Sequence, residues 1–232
     1  DALAAAITDN TAAFLVEPIQ GEGGIVVPPE GYLKAARELC RERNVLFIAD
    51  EIQTGLGRTG KLLACEHEDV HPDGLILGKA LGGGILPVSM FLARREVMSV
   101  FRPGDHGSTF GGNPLAAAVG LEALNILVED ELPQRSATMG AYLMDQLHAI
   151  DTPLIREIRG RGLFIGLEID PALCSARQIC EMLMDRGLLS KETHKTVVRL
   201  APPLIISQEE IDWAVTQIRE VLGEIDKVRL AS

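Results

Sequence analysis

The sequence predicts an α/β fold: a mostly parallel sheet with helices on both faces, followed by a smaller α+β region. In the first part, short apolar runs alternate with amphipathic helical segments, which is typical of parallel strands joined by helices. After about residue 130 the pattern changes to glycine-punctuated strands between longer helices. We therefore expect two domains, residues 1–130 and residues 131–232.

The elements of the first domain follow from local patterns. Four short apolar runs predict strands at residues 12–18, 45–50, 74–78 and 87–93. Residues 29–44 predict an amphipathic helix, because apolar side chains recur at helical spacing opposite charged ones. A brief helix is expected over residues 61–69. A long helix begins after Asn113, a favourable N-cap that precedes Pro114 at the first helical position.

The second domain is predicted to be α+β. We expect helices at residues 133–148 and 176–187, a strand pair within residues 154–170 and a strand at residues 197–203. The last helix starts at Ser207, which forms a capping box with Glu210, and its apolar face extends to Ile225.

Composition excludes several classes of function. The net charge of −11 argues against nucleic acid as a partner, since binding to phosphates requires a basic surface. No apolar run approaches the length that spans a membrane. The four cysteines contain no C-x-x-C pair and no signal peptide precedes them, so we expect reduced thiols in a cytoplasmic protein. No metal site is predicted.

A glycine-rich stretch at residues 55–61 resembles two nucleotide-binding patterns but fits neither. The dinucleotide pattern requires its first glycine in the turn directly after a strand, whereas Gly55 lies further on. A P-loop requires Ser or Thr after the lysine, and residue 62 is leucine. We therefore interpret this stretch as a loop that passes close to other backbone.

An acid and an amine follow two neighbouring strands of the predicted sheet. Asp50 ends one apolar run and Lys79 comes just after the next, where open α/β sheets bind ligands. Either residue alone is more often a cap or a solvated side chain. Together they suit pyridoxal 5'-phosphate, whose aldehyde reacts with a lysine and whose pyridine nitrogen is held protonated by an aspartate.

Five ordered motifs extend this interpretation to nearly the whole chain: VEPIQGEGG, FIADEIQTGLGRTG, LGKALGGG, HGSTFGGNPLA and VRLAPPLII. Together they resemble the class III aminotransferases, which have the type I fold of pyridoxal phosphate-dependent transferases. The segments ILPVSMFLA and LSKETHKTVVRLAPPLII are most similar to the ornithine-specific branch of that family. The resemblance implies a partial large domain and a C-terminal small domain.

The resemblance also implies roles in cofactor binding. Lys79 would form the Schiff base, and Asp50 would pair with the pyridine nitrogen. Gln53 would contact the phenolic oxygen of the ring. Ser108 and Thr109 would reach the cofactor phosphate of a partner subunit, which implies a homodimer. Without the motif, Gln53 would be interpreted as a loop residue that forms a hydrogen bond. The hydroxyls of Ser108 and Thr109 would be interpreted as groups that stabilise turns or helix caps.

Three further residues would bind substrate. Arg199 would hold the carboxylate of 2-oxoglutarate or glutamate, and Glu22 would cover Arg199 when ornithine occupies the site. Glu17 would lie near the site. The implied reaction moves the δ-amino group of ornithine to 2-oxoglutarate, giving glutamate semialdehyde and glutamate, with Lys79 as the general base.

Two alternatives remain open. One is an aminotransferase acting on acetylornithine or another ω-amino acid. The other follows from the family pattern, whose N-terminal half, with a phosphate loop and a ring that stacks on the cofactor, has no counterpart here. The chain is then expected to be a C-terminal piece, inactive or weakly active alone, or a non-catalytic fragment that acts only in assembly.

Overall fold

The computed structural model describes residues 1–231, which form two compact units. The first unit comprises Asp1–Pro18, Pro28–Leu56 and Lys61–Glu131. The second contains Ile19–Val27, Gly57–Gly60 and the chain from Leu132 onward. The units are therefore discontinuous in sequence, whereas the predicted domains were continuous. Two short segments from within residues 1–130 pack with the second unit.

The first unit alternates strands with helices and 3-10 turns. Its elements are α1 (Ala2–Ala6), β1 (Ala13–Val16), α2 (Tyr32–Glu42), β2 (Leu46–Asp50), a 3-10 helix (Ala64–Glu68), β3 (Gly74–Leu77), a second 3-10 helix (Lys79–Gly82), β4 (Met90–Ala93), α3 (Arg95–Met98) and α4 (Pro114–Glu129). The predicted brief helix is the first of the 3-10 helices. The predicted cap of α4 is present, because the Asn113 side chain accepts a hydrogen bond from the amide of Ala116.

The sheet of the first unit is mostly parallel and has the order β1-β2-β3-β4. β2 runs parallel to both β1 and β3, and β4 is antiparallel to β3. α2 covers β2, because its predicted apolar face buries Leu33, Ala36 and Cys40 against Phe47 and other apolar residues. This packing fixes β2, and with it the position where the strand ends at Asp50.

The second unit combines an antiparallel sheet with three helices. Its elements are α5 (Leu132–His148), β5 (Ile155–Arg161), β6 (Phe164–Ile169), α6 (Ala176–Asp185), β7 (Lys191–Thr193), β8 (Val197–Leu200) and α7 (Gln208–Ala231). The sheet has the order β5-β6-β8-β7 and packs its apolar residues against all three helices. The predicted capping box of α7 is present in both directions, between Ser207 and Glu210.

Backbone segments approach each other closely at the turn between β5 and β6. A Cβ atom added to Gly140 of α5 would lie 2.2 Å from the carbonyl carbon and oxygen of Gly162. A Cβ atom on Gly162, whose φ is +55°, would lie 2.5 Å from the carbonyl carbon of Thr59. The glycine-rich loop therefore passes close to other backbone, as the sequence predicts, and side chains at these glycines would clash.

Candidate active site

Asp50 and Lys79 lie at the carboxyl ends of two adjacent parallel strands. Asp50 is the last residue of β2 and is paired in register with Ile76 of β3. Lys79 begins the 3-10 helix that follows β3. Asp50 is half-buried, and its Oδ1 accepts a hydrogen bond of 3.0 Å from the amide of Ile52. Lys79 is exposed and has a left-handed backbone with φ of 46°. The two side chains thus start from the same edge of one sheet.

The left-handed backbone of Lys79 is unusual for a residue with a Cβ atom. Such a conformation costs free energy and persists only where the surrounding chain imposes it, often at functional sites. Lys79 lies between β3 and the buried Leu81. Sequence patterns gave no sign of this conformation.

Glu51, next to Asp50, has a structural role. It is 1% exposed and accepts hydrogen bonds from the hydroxyl of Thr54 and from the amides of Ala64 and Cys65, the last at 2.8 Å. These contacts tie the loop after β2 to the first 3-10 helix. Burial, together with the Glu51 carboxylate, raises the pKa of the Cys65 thiol.

The other predicted cofactor residues lie in loops of the first unit. Gln53 is half-buried in the turn after β2. Ser108 and Thr109 lie in the exposed segment that precedes α4, where the hydroxyl of Ser108 accepts a hydrogen bond from the amide of Gly111. Glu17 follows β1 directly and is half-buried. Their roles toward a cofactor or substrate remain predictions.

Glu22 and Arg199 form an ion pair within the second unit. Glu22 Oε1 lies 2.8 Å from a terminal guanidinium nitrogen of Arg199, which is the contact that the sequence analysis expects. Glu22 Oε2 lies 3.0 Å from Nζ of Lys191, a contact that the sequence analysis missed. The side chain of Arg199 is 20% exposed, whereas those of Glu22 and Lys191 are 56% and 57% exposed. One carboxylate therefore joins two cations at the surface.

The two cations stabilise the charged form of Glu22. The hydrogen bond from Lys191, followed by that from Arg199, lowers the pKa of Glu22 below its ordinary value. A third cation, Arg58, lies nearby and donates to the carbonyl oxygens of Leu163 and Pro202. Burial, and then repulsion from Arg199, lowers the pKa of Arg58 to about 10, so its guanidinium remains charged at neutral pH.

The segment that carries Glu22 is held by residues to which the sequence analysis assigned no role. Arg159 of β5 donates to the carbonyl oxygens of Gly24 and Ile25 and is itself paired with Glu168 at 2.7 Å. The hydroxyl of Thr193 donates to the backbone carbonyl of Glu22 at 2.8 Å. A local pattern cannot reveal these contacts, because they join residues far apart in sequence.

An apolar cavity of about 730 Å³ lies elsewhere in the second unit. Its walls include Leu189, Leu200, Ile205 and Trp213. None of the predicted site residues lines it. Leu200 faces it, although the adjacent residue Arg199 pairs with Glu22, because successive side chains of a strand point to opposite faces.

No helix within residues 1–231 combines the length and the apolar character that a membrane crossing requires. In the same part of the chain, no cluster of three or more histidine, cysteine, aspartate or glutamate side chains could hold a metal ion.

Comparison with known proteins decides the family. A family model described as "Aminotransferase class-III" matches residues 1–222. The chain belongs to the class-III aminotransferases. The motifs that carried the resemblance in the sequence therefore identified the family and its fold type correctly.

Individual class-III aminotransferases resemble the chain closely. The ornithine aminotransferase of an Exiguobacterium species is 64% identical over 223 residues, which are 96% of this chain and 55% of the relative. A crystal structure of Toxoplasma gondii ornithine aminotransferase, with PLP at partial occupancy in its active site, is 50% identical with a TM-score of 0.95. That alignment covers 98% of this chain and 55% of the other. The chain thus spans about half the length of these relatives.

A relative of different stated specificity also matches. The crystal structure of acetylornithine aminotransferase from Elizabethkingia anophelis is 49% identical with a TM-score of 0.91, over 96% of this chain and 57% of the other. Aminotransferases of both stated specificities therefore share this fold.

Proposed function

We propose that this chain is part of a pyridoxal phosphate-dependent enzyme that moves the δ-amino group of ornithine to 2-oxoglutarate. The products would be glutamate semialdehyde and glutamate. The observation that carries the proposal is the pairing of strands β2 and β3, which brings Asp50 and Lys79 to one edge of a sheet. The identity of 64% to an ornithine aminotransferase supports the choice of amino donor.

The residues at this edge suit the cofactor chemically. Lys79 supplies an exposed primary amine, and Asp50 supplies a carboxylate oriented by the amide of Ile52. Pyridoxal phosphate, when bound, supplies an electron sink for the charge left on carbon after a proton is removed. In the proposal, Asp50 holds a proton on the ring nitrogen through its negative charge.

Lys79 has two tasks in the proposed reaction. Its Nζ would hold the cofactor through the aldehyde group. As a free amine, Lys79 would act as the general base that takes a proton from the δ-carbon of ornithine. Gln53, Ser108 and Thr109 are proposed to orient the cofactor through its phenolic oxygen and its phosphate.

Arg199 and Glu22 are proposed to adapt the site to two kinds of substrate. Arg199 binds the carboxylate of 2-oxoglutarate or glutamate, since a guanidinium matches the geometry of a carboxylate. Glu22 neutralises Arg199 when ornithine reacts. The ion pair of 2.8 Å between them supports this role. Glu17 is proposed to lie near the bound substrate.

The proposal includes a homodimer in the cytoplasm. Ser108 and Thr109 lie in an exposed segment, which suits contact with the cofactor of a second subunit. The four cysteines are free thiols, which suits a reducing compartment.

A second candidate is acetylornithine aminotransferase, favoured by the match to the Elizabethkingia anophelis enzyme.

An assay of amino-donor preference separates the two candidates. The purified chain is supplied with pyridoxal phosphate and 2-oxoglutarate, and the formation of glutamate is followed with ornithine or with N-acetylornithine as the donor. We expect ornithine to be preferred by at least about 10-fold, because an acetyl group is larger than the single methylene that already changes the rate about 10- to 200-fold in a fitted pocket. A preference for N-acetylornithine would support the second candidate.

The same assay tests the role of Lys79. Lys79→Ala should abolish both turnover and the visible absorbance of bound cofactor, because no amine remains to attach. Lys61→Ala, at an exposed lysine of the same unit, is the matched control and should retain both. Cofactor absorbance that is unchanged in Lys79→Ala would refute the assignment. If wild type shows neither absorbance nor turnover, the non-catalytic alternative is supported.

A further inference from the structure

Lys191 and Arg199 lie directly opposite each other on two antiparallel strands. The register of β7 and β8 pairs the two residues, so their side chains emerge on the same face of the sheet. Two like charges in this arrangement repel each other. The carboxylate of Glu22 lies between them and gives one oxygen to each cation, at 3.0 Å to Lys191 and 2.8 Å to Arg199. Because it contains two cations and one carboxylate, this cluster of three side chains has one excess positive charge.

Glu22 is held in this position by its backbone as well as by its carboxylate. Thr193, at the end of β7, donates to the carbonyl oxygen of Glu22, and Arg159 binds the carbonyl oxygens of Gly24 and Ile25. The backbone of this segment is thus fixed at Glu22 itself and at two residues that follow it. Movement of the carboxylate away from Arg199 then requires only rotation of the Glu22 side chain, which is more than half exposed.

We propose that Lys191 is a positioning residue that retains Glu22 when a substrate carboxylate displaces it from Arg199. This inference rests on the proposed function of Arg199. Lys191 keeps its hydrogen bond to Oε2 of Glu22 while Oε1 of Glu22 moves away from the guanidinium of Arg199. The displaced carboxylate therefore still has a charged partner. The two cations then balance two carboxylates, that of Glu22 and that of the substrate. Lys191 in this way lowers the free energy needed to displace Glu22 from Arg199 when a dicarboxylate binds.

The proposal predicts the direction of a substitution. Lys191→Met keeps the apolar stem but removes the charge, so Arg199 is the one cation left to Glu22 among its described partners. Displacing Glu22 then leaves its carboxylate without a charged partner, and 2-oxoglutarate should bind more weakly. The expected increase in Kd is up to about 5-fold, which corresponds to the contribution of about 1 kcal/mol that a half-exposed ion pair makes at most.

The test follows the Glu22 carboxyl carbon by NMR in the isotopically labelled chain, without cofactor, while 2-oxoglutarate is added. Wild type, Lys191→Met and Lys191→Arg are compared. The matched control is Lys195→Met, which removes one positive charge from the turn of the same hairpin but contacts neither oxygen of Glu22. We expect Lys191→Met to raise both the pKa of Glu22 and the Kd of 2-oxoglutarate. Lys191→Arg should restore both values, and Lys195→Met should leave them near wild type.

The outcomes separate this inference from the proposed function. If 2-oxoglutarate binds wild type and Lys191→Met with equal Kd, the role of Lys191 is refuted while that of Arg199 stands. An equal loss in Lys195→Met would also refute it, because general charge rather than the contact would be responsible. If 2-oxoglutarate does not perturb Glu22 even in wild type, the proposed role of Arg199 fails, and the present inference fails with it.

Discussion

Asp50 and Glu51 are adjacent acids with different surroundings. Glu51 is buried and its carboxylate is fully engaged by a hydroxyl and two backbone amides. Asp50 is half-buried at the end of β2, and an amide two residues away orients its Oδ1. The alternation of side chains along an extended chain separates them. Glu51 therefore stabilises the loop after β2, whereas Asp50 is available for the proposed cofactor.

Substitution of each acid by its amide should separate these roles. Glu51→Gln should lower the free energy of unfolding by about 2–4 kcal/mol, because an amide cannot accept from all three buried donors. Asp50→Asn should change it by less than about 1 kcal/mol, since Asn can still accept from Ile52. Asp50→Asn should instead weaken binding of pyridoxal phosphate about 10- to 100-fold through loss of a charged hydrogen bond. Urea titration and cofactor titration measure the two effects. The reverse pattern would show that the roles are exchanged.

The ion pairs of Glu22 predict that the free energy of unfolding depends on pH in the acidic range. The pKa of Glu22 is lowered in the folded chain from an ordinary value of 4.5, so the folded state favours the ionised carboxylate. Its contribution is fully present above pH 4.5 and is lost as the pH falls through the folded pKa. Glu22→Gln should therefore be less stable than wild type at neutral pH, by less than about 1 kcal/mol because the pair is half exposed. The difference should vanish in stronger acid. Urea titrations of both proteins across this range measure it, and a difference that is constant with pH would contradict the account.

At the scale of elements, α5 packs against the turn between β5 and β6 through backbone contact. Gly140 of α5 and Gly162 of the turn leave no room for a Cβ atom, and Ser136 of the same helix donates to the carbonyl oxygen of Arg58. Glycine at a helix position weakens the isolated helix, but here it permits a close approach that a larger residue would prevent.

Gly140→Ala should lower the free energy of unfolding by about 3 kcal/mol, because backbone atoms would have to move to accommodate the methyl group. Gly223→Ala in α7 is the matched control, since a Cβ atom there meets nothing within 4 Å. It should raise stability by about 0.5–1 kcal/mol through helix propensity alone. Urea denaturation measures both changes. Equal effects of the two substitutions would contradict the packing described for α5.

The longer elements could be predicted from sequence because their signals are local. The helix predicted at residues 29–44 appears as Tyr32–Glu42, and the strand predicted at residues 45–50 appears as Leu46–Asp50. The cap at Asn113 and the capping box at Ser207 depend on side chains within three residues of the backbone groups they bind. For such elements, local chemistry and the final fold agree.

Short elements and strand direction were missed for a common reason. α1 and α3 have five residues or fewer, too few for the helical period to be visible, and β7 lacks the apolar run that predicts the other short strands. β4 was predicted as a strand without its direction, and it runs antiparallel to β3. The partner of Glu22 at Lys191 was missed because 169 residues separate them. These features depend on tertiary contacts, which a local pattern does not contain.

At the scale of the whole molecule, the structure consists of two units whose sequence segments interleave. Ile19–Val27 and Gly57–Gly60 belong with the chain after Leu132, although each lies between segments of the first unit. Glu22 is consequently in the same unit as Arg199, and Asp50 and Lys79 are together in the other. The chain corresponds to about half the length of the ornithine aminotransferases it matches.

Reductive trapping of the cofactor tests the central claim most directly. The chain is mixed with pyridoxal phosphate, reduced with borohydride, digested and mapped by mass spectrometry. A lysine oriented for attachment should be labelled selectively, so we predict the phosphopyridoxyl mass on Lys79, with less label in Asp50→Asn and none at that position in Lys79→Ala. Label spread evenly over exposed lysines such as Lys61, or concentrated on another lysine, would contradict the account.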